Sequence, residues 1–223
     1  GGGPNGKPVL LPSYSSYQIF KATMQFLSGK DLTQPLIFSA SGVSFPPGGP
    51  VVYDGKRGLN ILYKMTPWSY SLLRHEAAIT LKMLNESRYD NFDKVFIVKV
   101  NDPMLRFDRL LYIPSPPHAR GVLRTLRYRS AVYEVISRAL GNRVRLISLS
   151  SASVEPWSVK SRTPVEKMDK DILVGLLLDA DNAGRVVDHG PSAEQKDEAA
   201  SFRAFWGEKA ELRRFKDGSI LES

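Results

Sequence analysis

The sequence predicts an α+β chain, mostly helical in its first part and sheet-bearing in its second. Three observations carry this. Two long stretches, Ser16–Ser28 and Thr66–Asn85, repeat apolar residues at three- and four-residue spacing. From Phe92 onwards short extended runs dominate, and Ile172–Leu178 (ILVGLLL) is a continuous apolar run of strand length, as expected for a central strand covered on both faces. Finally, FRAFWGEKAELRRFKDGSILES (Phe202–Ser223) passes from helical to alternating periodicity around Gly207.

Gly1–Pro12 is Gly/Pro-rich and reads as a linker. The first helix, Ser16–Ser28, sets Tyr17, Phe20, Met24 and Leu27 on one face, with Ser15 or Ser16 as N-cap and Gly29 as terminator; core packing explains that stripe better than base stacking. PLIFSA (Pro35–Ala40) is a short strand and GVSFPPGGP (Gly42–Pro50) a surface loop. Val51–Asp54 and Asn60–Met65 are extended on either side of a Gly55–Gly58 turn. Thr66 caps the second helix, with Pro67 at its first position, where a missing N–H costs nothing.

A boundary is expected near Asp90, giving a linker at 1–12, one domain at 13–89 and another at 90–223. Phe92–Val100 alternates as a strand, and Phe107–Ile113 forms a second one. Ser130–Leu140 is helical, Arg143–Leu149 extended, and the polar, Pro-containing Ser150–Asp169 a mobile insertion. Ser192 and Gln195 have capping-box spacing before a helix that ends in Phe202, Phe205 and Trp206, three rings expected in the structural core. Asp217-Gly218 turns the chain into a last extended segment, within which it stops, as an internal fragment truncated at its C-terminus would.

Apolar content of 42% and charged content of 24% are those of an ordinary globular chain, and the absence of cysteine removes disulfides and thiolate metal sites. No window reaches the apolar length of a membrane span, so no membrane partner is expected. Charge is unevenly placed. Of the net +8, +7 falls within Met104–Ser150, where nine arginines and no lysine face Asp108 and Glu134. Arginine suits bidentate recognition of phosphate or carboxylate. Arg120, Arg124 and Arg127 share one helical face with Arg129 nearby, and Arg143 and Arg145 share one side of the following strand. These six form the candidate nucleic-acid-binding set; a solvated face, or pairing with carboxylates of a protein partner, is the competing reading.

Catalytic constellations fare poorly. Asp179-Ala180-Asp181 follows the apolar strand as magnesium-holding carboxylates do, but VEKMDKDI before it has no phosphate-cradling Gly-Ser pair, and Gly218-Ser219 comes too late. DADNAG fails as a calcium loop, since Ala183 and Gly190 stand where oxygen ligands are needed. His75, His118 and His189 are too scattered for zinc. No catalytic residue, metal or cofactor is expected.

FRAFWGEKAELRRFKDGSILES, with VVDHGPSAEQKDEAASFRAFWG (Val186–Gly207), RALGNRVRLISL (Arg138–Leu149), LNILYKMTPWSYSLLRHEAAITLKMLNES (Leu59–Ser87) and FDKVFIVKVNDPMLRFDRLLYIP (Phe92–Pro114), resembles the Nrap family of nucleolar RNA-associated proteins. VVYDG, a turn and a Trp-initiated helix are similar to the end of the helical domain of poly(A) polymerases and oligoadenylate synthetases. The resemblance implies such a domain at 13–89, a small α/β sandwich at 90–223, and a nucleolar location. It further implies a non-catalytic scaffold of the small-subunit processome acting in pre-rRNA processing and small-subunit assembly. The implied partners are other processome proteins in a stable subcomplex, pre-rRNA and small nucleolar RNA, with a link to tRNA processing. The alternatives are an RNA-specific nucleotidyltransferase whose catalytic domain lies outside this segment, and a plain RNA-binding module.

Overall fold

In the computed structural model the described residues are 10–100, 102–115, 122–152 and 171–223. The chain divides into two compact units, residues 1–179 and 180–223.

The first unit opens with α1 (Ser16–Gly29), started by a capping box in which the Ser15 side chain accepts from the Gln18 backbone and the Gln18 side chain accepts from Ser15 N–H. A small sheet follows in the order β1 (Leu36–Phe38), β2 (Val52–Asp54), β3 (Leu59–Asn60), with β1–β2 parallel and β2–β3 antiparallel. The expected extended run Asn60–Met65 stops after its first residue. Asn60 Oδ1 accepts from both Val52 N and Leu62 N, 3.0 Å each, so the side chain takes over the ladder's role and turns the chain away. α2 (Pro67–Asn85) has the expected cap and N-terminal proline. Buried Tyr70 ties it to the end of α1: its hydroxyl accepts from Leu32 N (2.7 Å) and donates to Lys30 O (3.2 Å).

Phe92–Val100 is not a strand. Asp90 Oδ1 accepts from Phe92 N and starts a helical turn, α3 (Phe92–Phe96), whose Phe92 and Phe96 rings stack at 4.9 Å while Phe96 meets Phe20 of α1 at 5.2 Å. Phe92, Val95 and Phe96 fit the i, i+3, i+4 period as well as an alternating one, and with no strand alongside, the helical option wins.

After α4 (Pro103–Arg106), a three-stranded sheet is built from β4 (Arg109–Pro114), β5 (Val144–Ser151) and β6 (Asp171–Leu178). β6 lies in the middle and is antiparallel to both neighbours. The expected helix at Ser130–Leu140 begins earlier, at Val122, and forms α5 (Val122–Leu140). Tyr128, Val132, Tyr133, Ile136 and Leu140 of α5 pack on a core of Ile147, Leu149, Ile172, Val174 and Leu176. Trp68, from the first turn of α2, completes this core, with its ring 5.6 Å from Tyr133. The segment before residue 90 therefore supplies part of the sheet's core. On the sheet's other face, Gly175 makes room for Phe107, whose ring lies 2.5 Å from where a Cβ would stand. The expected insertion at 150–169 lies, from 153 onwards, outside the described residues.

The second unit holds α6 (Lys196–Trp206) and a hairpin of β7 (Leu212–Arg214) and β8 (Ile220–Glu222) turning at Gly218, φ 87°. Ser192 does not cap the helix. Its backbone bridges to Leu221 and its Oγ accepts from Glu194 N, holding it in a turn, and α6 starts four residues beyond the expected cap site, at Lys196 after Gln195. Gly207 ends the helix at φ 58°. Trp206 meets Phe205 edge-to-face at 5.1 Å and Phe202 at a tilt at 6.2 Å, and each of the three is half-buried rather than buried. The buried side chains among the described residues of this unit are Ala199 and Glu222, the latter ion-paired with Arg203. The mixture of helix and sheet across both units is that of an α+β chain.

Candidate nucleic-acid interface

α5 is amphipathic by sequence: one face packs on the sheet, and the other exposes Arg124, Arg127, Ala131, Glu134, Val135 and Arg138. With a rise of about 1.5 Å per residue, Arg124 to Arg138 spans roughly 21 Å of helix. Three guanidinium groups against one carboxylate make this the most basic surface that the described part of α5 presents.

The five described members of the predicted arginine set do not meet in one patch. Arg124 and Arg127 stand one turn apart on the exposed face. Arg120 lies outside the described residues. Arg129 turns toward the sheet, where its Nη2 donates to Ser151 Oγ at 2.6 Å and its Nε is buried. Arg143 and Arg145 lie beyond the end of α5, whose last residue, Leu140, is about 20 Å from Arg127 along the helix. They do not share a strand face, because Arg143 ends the 3-10 turn Gly141–Arg143 and only Arg145 lies on β5, where the β5–β6 register shifts between Val144 and Leu146. Arg145 Nε then donates to Leu178 O at 3.0 Å, at the end of β6. Sequence reasoning left out Arg138, although its spacing of eleven residues from Arg127 places it on the same face, three helical turns along. The sequence splits the signal, because the arginine-bearing stretch before Ser130 and the Ser130–Leu140 helix look like separate segments, whereas one helix, Val122–Leu140, carries Arg124, Arg127 and Arg138.

Asp179 ends the first unit, its N–H donating to Arg143 O at 2.9 Å, and Asp181 lies in the turn that opens the second. Among the described residues no group of three or more His, Asp or Glu side chains is placed to hold a metal ion. His189 stacks on Phe215 at 4.3 Å and its neighbour Gly190 lies under Phe202, so both belong to the packing of the hairpin. Among the described residues no helix is long and apolar enough to cross a membrane.

These elements define a mixed helix-and-sheet chain with an arginine-bearing outer helix. Residues 90–223 match the description "Nrap protein domain 3" and residues 1–99 match "Nrap protein PAP/OAS-like domain". The chain belongs to the Nrap protein family. It is 36% identical to U3 small nucleolar RNA-associated protein 22 of Schizosaccharomyces pombe, over 96% of this chain and 21% of that protein. It is 32% identical to nucleolar protein 6 of Xenopus laevis and 30% identical to that of Homo sapiens, over 94% of this chain and 20% of each. The chain thus spans about a fifth of the length of these relatives.

Proposed function

We propose that this chain is a non-catalytic scaffold segment of a nucleolar preribosomal factor, acting in pre-rRNA processing and small-subunit assembly. Its partners on this reading are the other proteins of a processome subcomplex, pre-rRNA and small nucleolar RNA. The names of its relatives, nucleolar protein 6 and U3 small nucleolar RNA-associated protein 22, support the location and the RNA association. The observation that carries the RNA contact is the exposed face of α5 with Arg124, Arg127 and Arg138. Guanidinium groups on one helix face contact backbone phosphates, Arg124 and Arg127 one turn apart and Arg138 about 16 Å further along, and position the protein without reading bases.

Binding of a structured RNA to the full-length protein then weakens steeply with salt. Replacing Arg124 and Arg127 by Gln lowers affinity and flattens the log–log salt slope by about 1.4–1.8, since each lost phosphate contact removes about 0.7–0.9. An unchanged slope, with release of a protein subunit instead, assigns the face to carboxylates of that subunit. For the absence of catalysis, the expected result is no magnesium-dependent extension of an RNA primer; incorporation that vanishes in Asp179→Ala would establish the nucleotidyltransferase reading.

A further inference from the structure

The first unit carries a second surface that the arginine face does not explain. α1, α2 and the small sheet enclose an open groove of about 330 Å³, lined by apolar side chains including Phe26, Leu36, Phe38, Val52, Ile61 and Met65. A dry cavity of about 150 Å³ admits a benzene ring, so this volume takes roughly two large side chains. The apolar surface continues past the groove: Phe38 is 45% and Ile61 53% exposed, and Leu59 and Tyr63 beside Ile61 are exposed as well. No polar group is aimed into it to orient a small molecule, because the Tyr70 hydroxyl on its wall is engaged by Leu32 N and Lys30 O. An extended apolar face with that depth suits a helix laid into a groove, with anchors at i, i+3, i+4 and i+7.

Charge says which kind of helix. Lys30 precedes the lining residue Leu32 by two positions, Lys64 stands between the lining residues Leu62 and Met65, and Lys56 follows Gly55, whose N–H donates to Phe38 O. The nearby acids are engaged internally: Asp31 by Thr33 and Arg74, and Asp54 by Arg57 and the Lys56 backbone. The Lys64 ammonium rests 5.5 Å from the Tyr63 ring centre. Three exposed lysines thus flank the segments that line an uncharged floor.

We propose that this groove docks the apolar face of an acidic amphipathic helix of a partner protein. The proposal does not rest on the RNA reading of α5, which lies on other elements.

The test is fluorescence anisotropy of the full-length protein with a labelled peptide of about 18 residues, long enough to be helical in isolation. It carries leucines on one face and glutamates on its flanks, and a control peptide carries lysines instead. Saturable binding of the Glu-flanked peptide is expected, with the Lys-flanked one at least about tenfold weaker. The double variant Lys56→Glu/Lys64→Glu, at two exposed positions, inverts that preference with an unchanged melting curve. Ile61→Asp removes binding of both peptides with an unchanged melting curve. No binding to the full-length protein, equal affinity for the two peptides, or binding indifferent to both variants overturns the proposal. So does a dimer in sedimentation that Ile61→Asp abolishes, which would give the groove to a second copy of the chain.

Discussion

Asp31 and Asp217 each begin a short loop whose next hydroxyl residue bonds back to them. Thr33 Oγ1 donates to Asp31 at 2.8 Å and Ser219 Oγ to Asp217 at 2.7 Å, each joined by the same residue's N–H at 3.0 Å. Stabilised in this way first by the hydroxyl and then by the amide, both carboxyls lie below the ordinary aspartate value. A lowered folded pKa contributes stability above the unfolded value, which is lost as pH falls through the folded one. Carboxyl-carbon NMR titration is expected to place both midpoints below about 3.9, and Thr33→Val to raise that of Asp31 alone. Tryptophans separate by burial at the same scale. Trp68 is 7% exposed within the sheet core, so Trp68→Ala costs about 3–5 kcal/mol in urea unfolding. Half-buried Trp206 loses less surface to water, and Trp206→Ala is expected to cost about half as much.

Among the elements, β6 depends on a residue that its apolar run hides. Gly175 lies mid-strand, where glycine ordinarily weakens a sheet, yet it is the site at which Phe107 closes over the strand. Gly175→Ala would place a methyl 2.5 Å from that ring, so a loss of about 1–3 kcal/mol is expected, read as a lower melting temperature. Phe107→Leu in the same chain should return part of it, and an additive double variant would show that the two residues do not meet in this way. Elements marked by caps and turns, such as α1, α2 and the β7–β8 hairpin, were legible because their signals are local. α3 was not, because one apolar pattern served two periods and the choice fell to Phe20 on a distant helix.

For the whole molecule, the division at residue 90 has a physical consequence. Trp68 belongs to the core formed by β5, β6 and α5, so a chain of residues 90–223 alone would open that core to water. It is expected to bind a hydrophobic dye and melt without a sharp transition, whereas residues 13–223 melt cooperatively. A cooperative 90–223 segment would show that Trp68 is dispensable. The sequence by itself determined the α+β composition, the caps of α1 and α2, the central position of the Ile172–Leu178 strand, the concentration of arginine and the family, all of which rest on short-range periodicity or on matched residues in order. Tertiary structure decided what needs partners far along the chain. It made one helix of two apparent segments and so put Arg138 in line with Arg124 and Arg127. It turned Arg129 inward to Ser151, and through one extra residue in β5 it sent Arg145 to the Leu178 carbonyl. Side-chain direction on a strand changes with every unpaired residue, and the pairing that counts them is written on another strand.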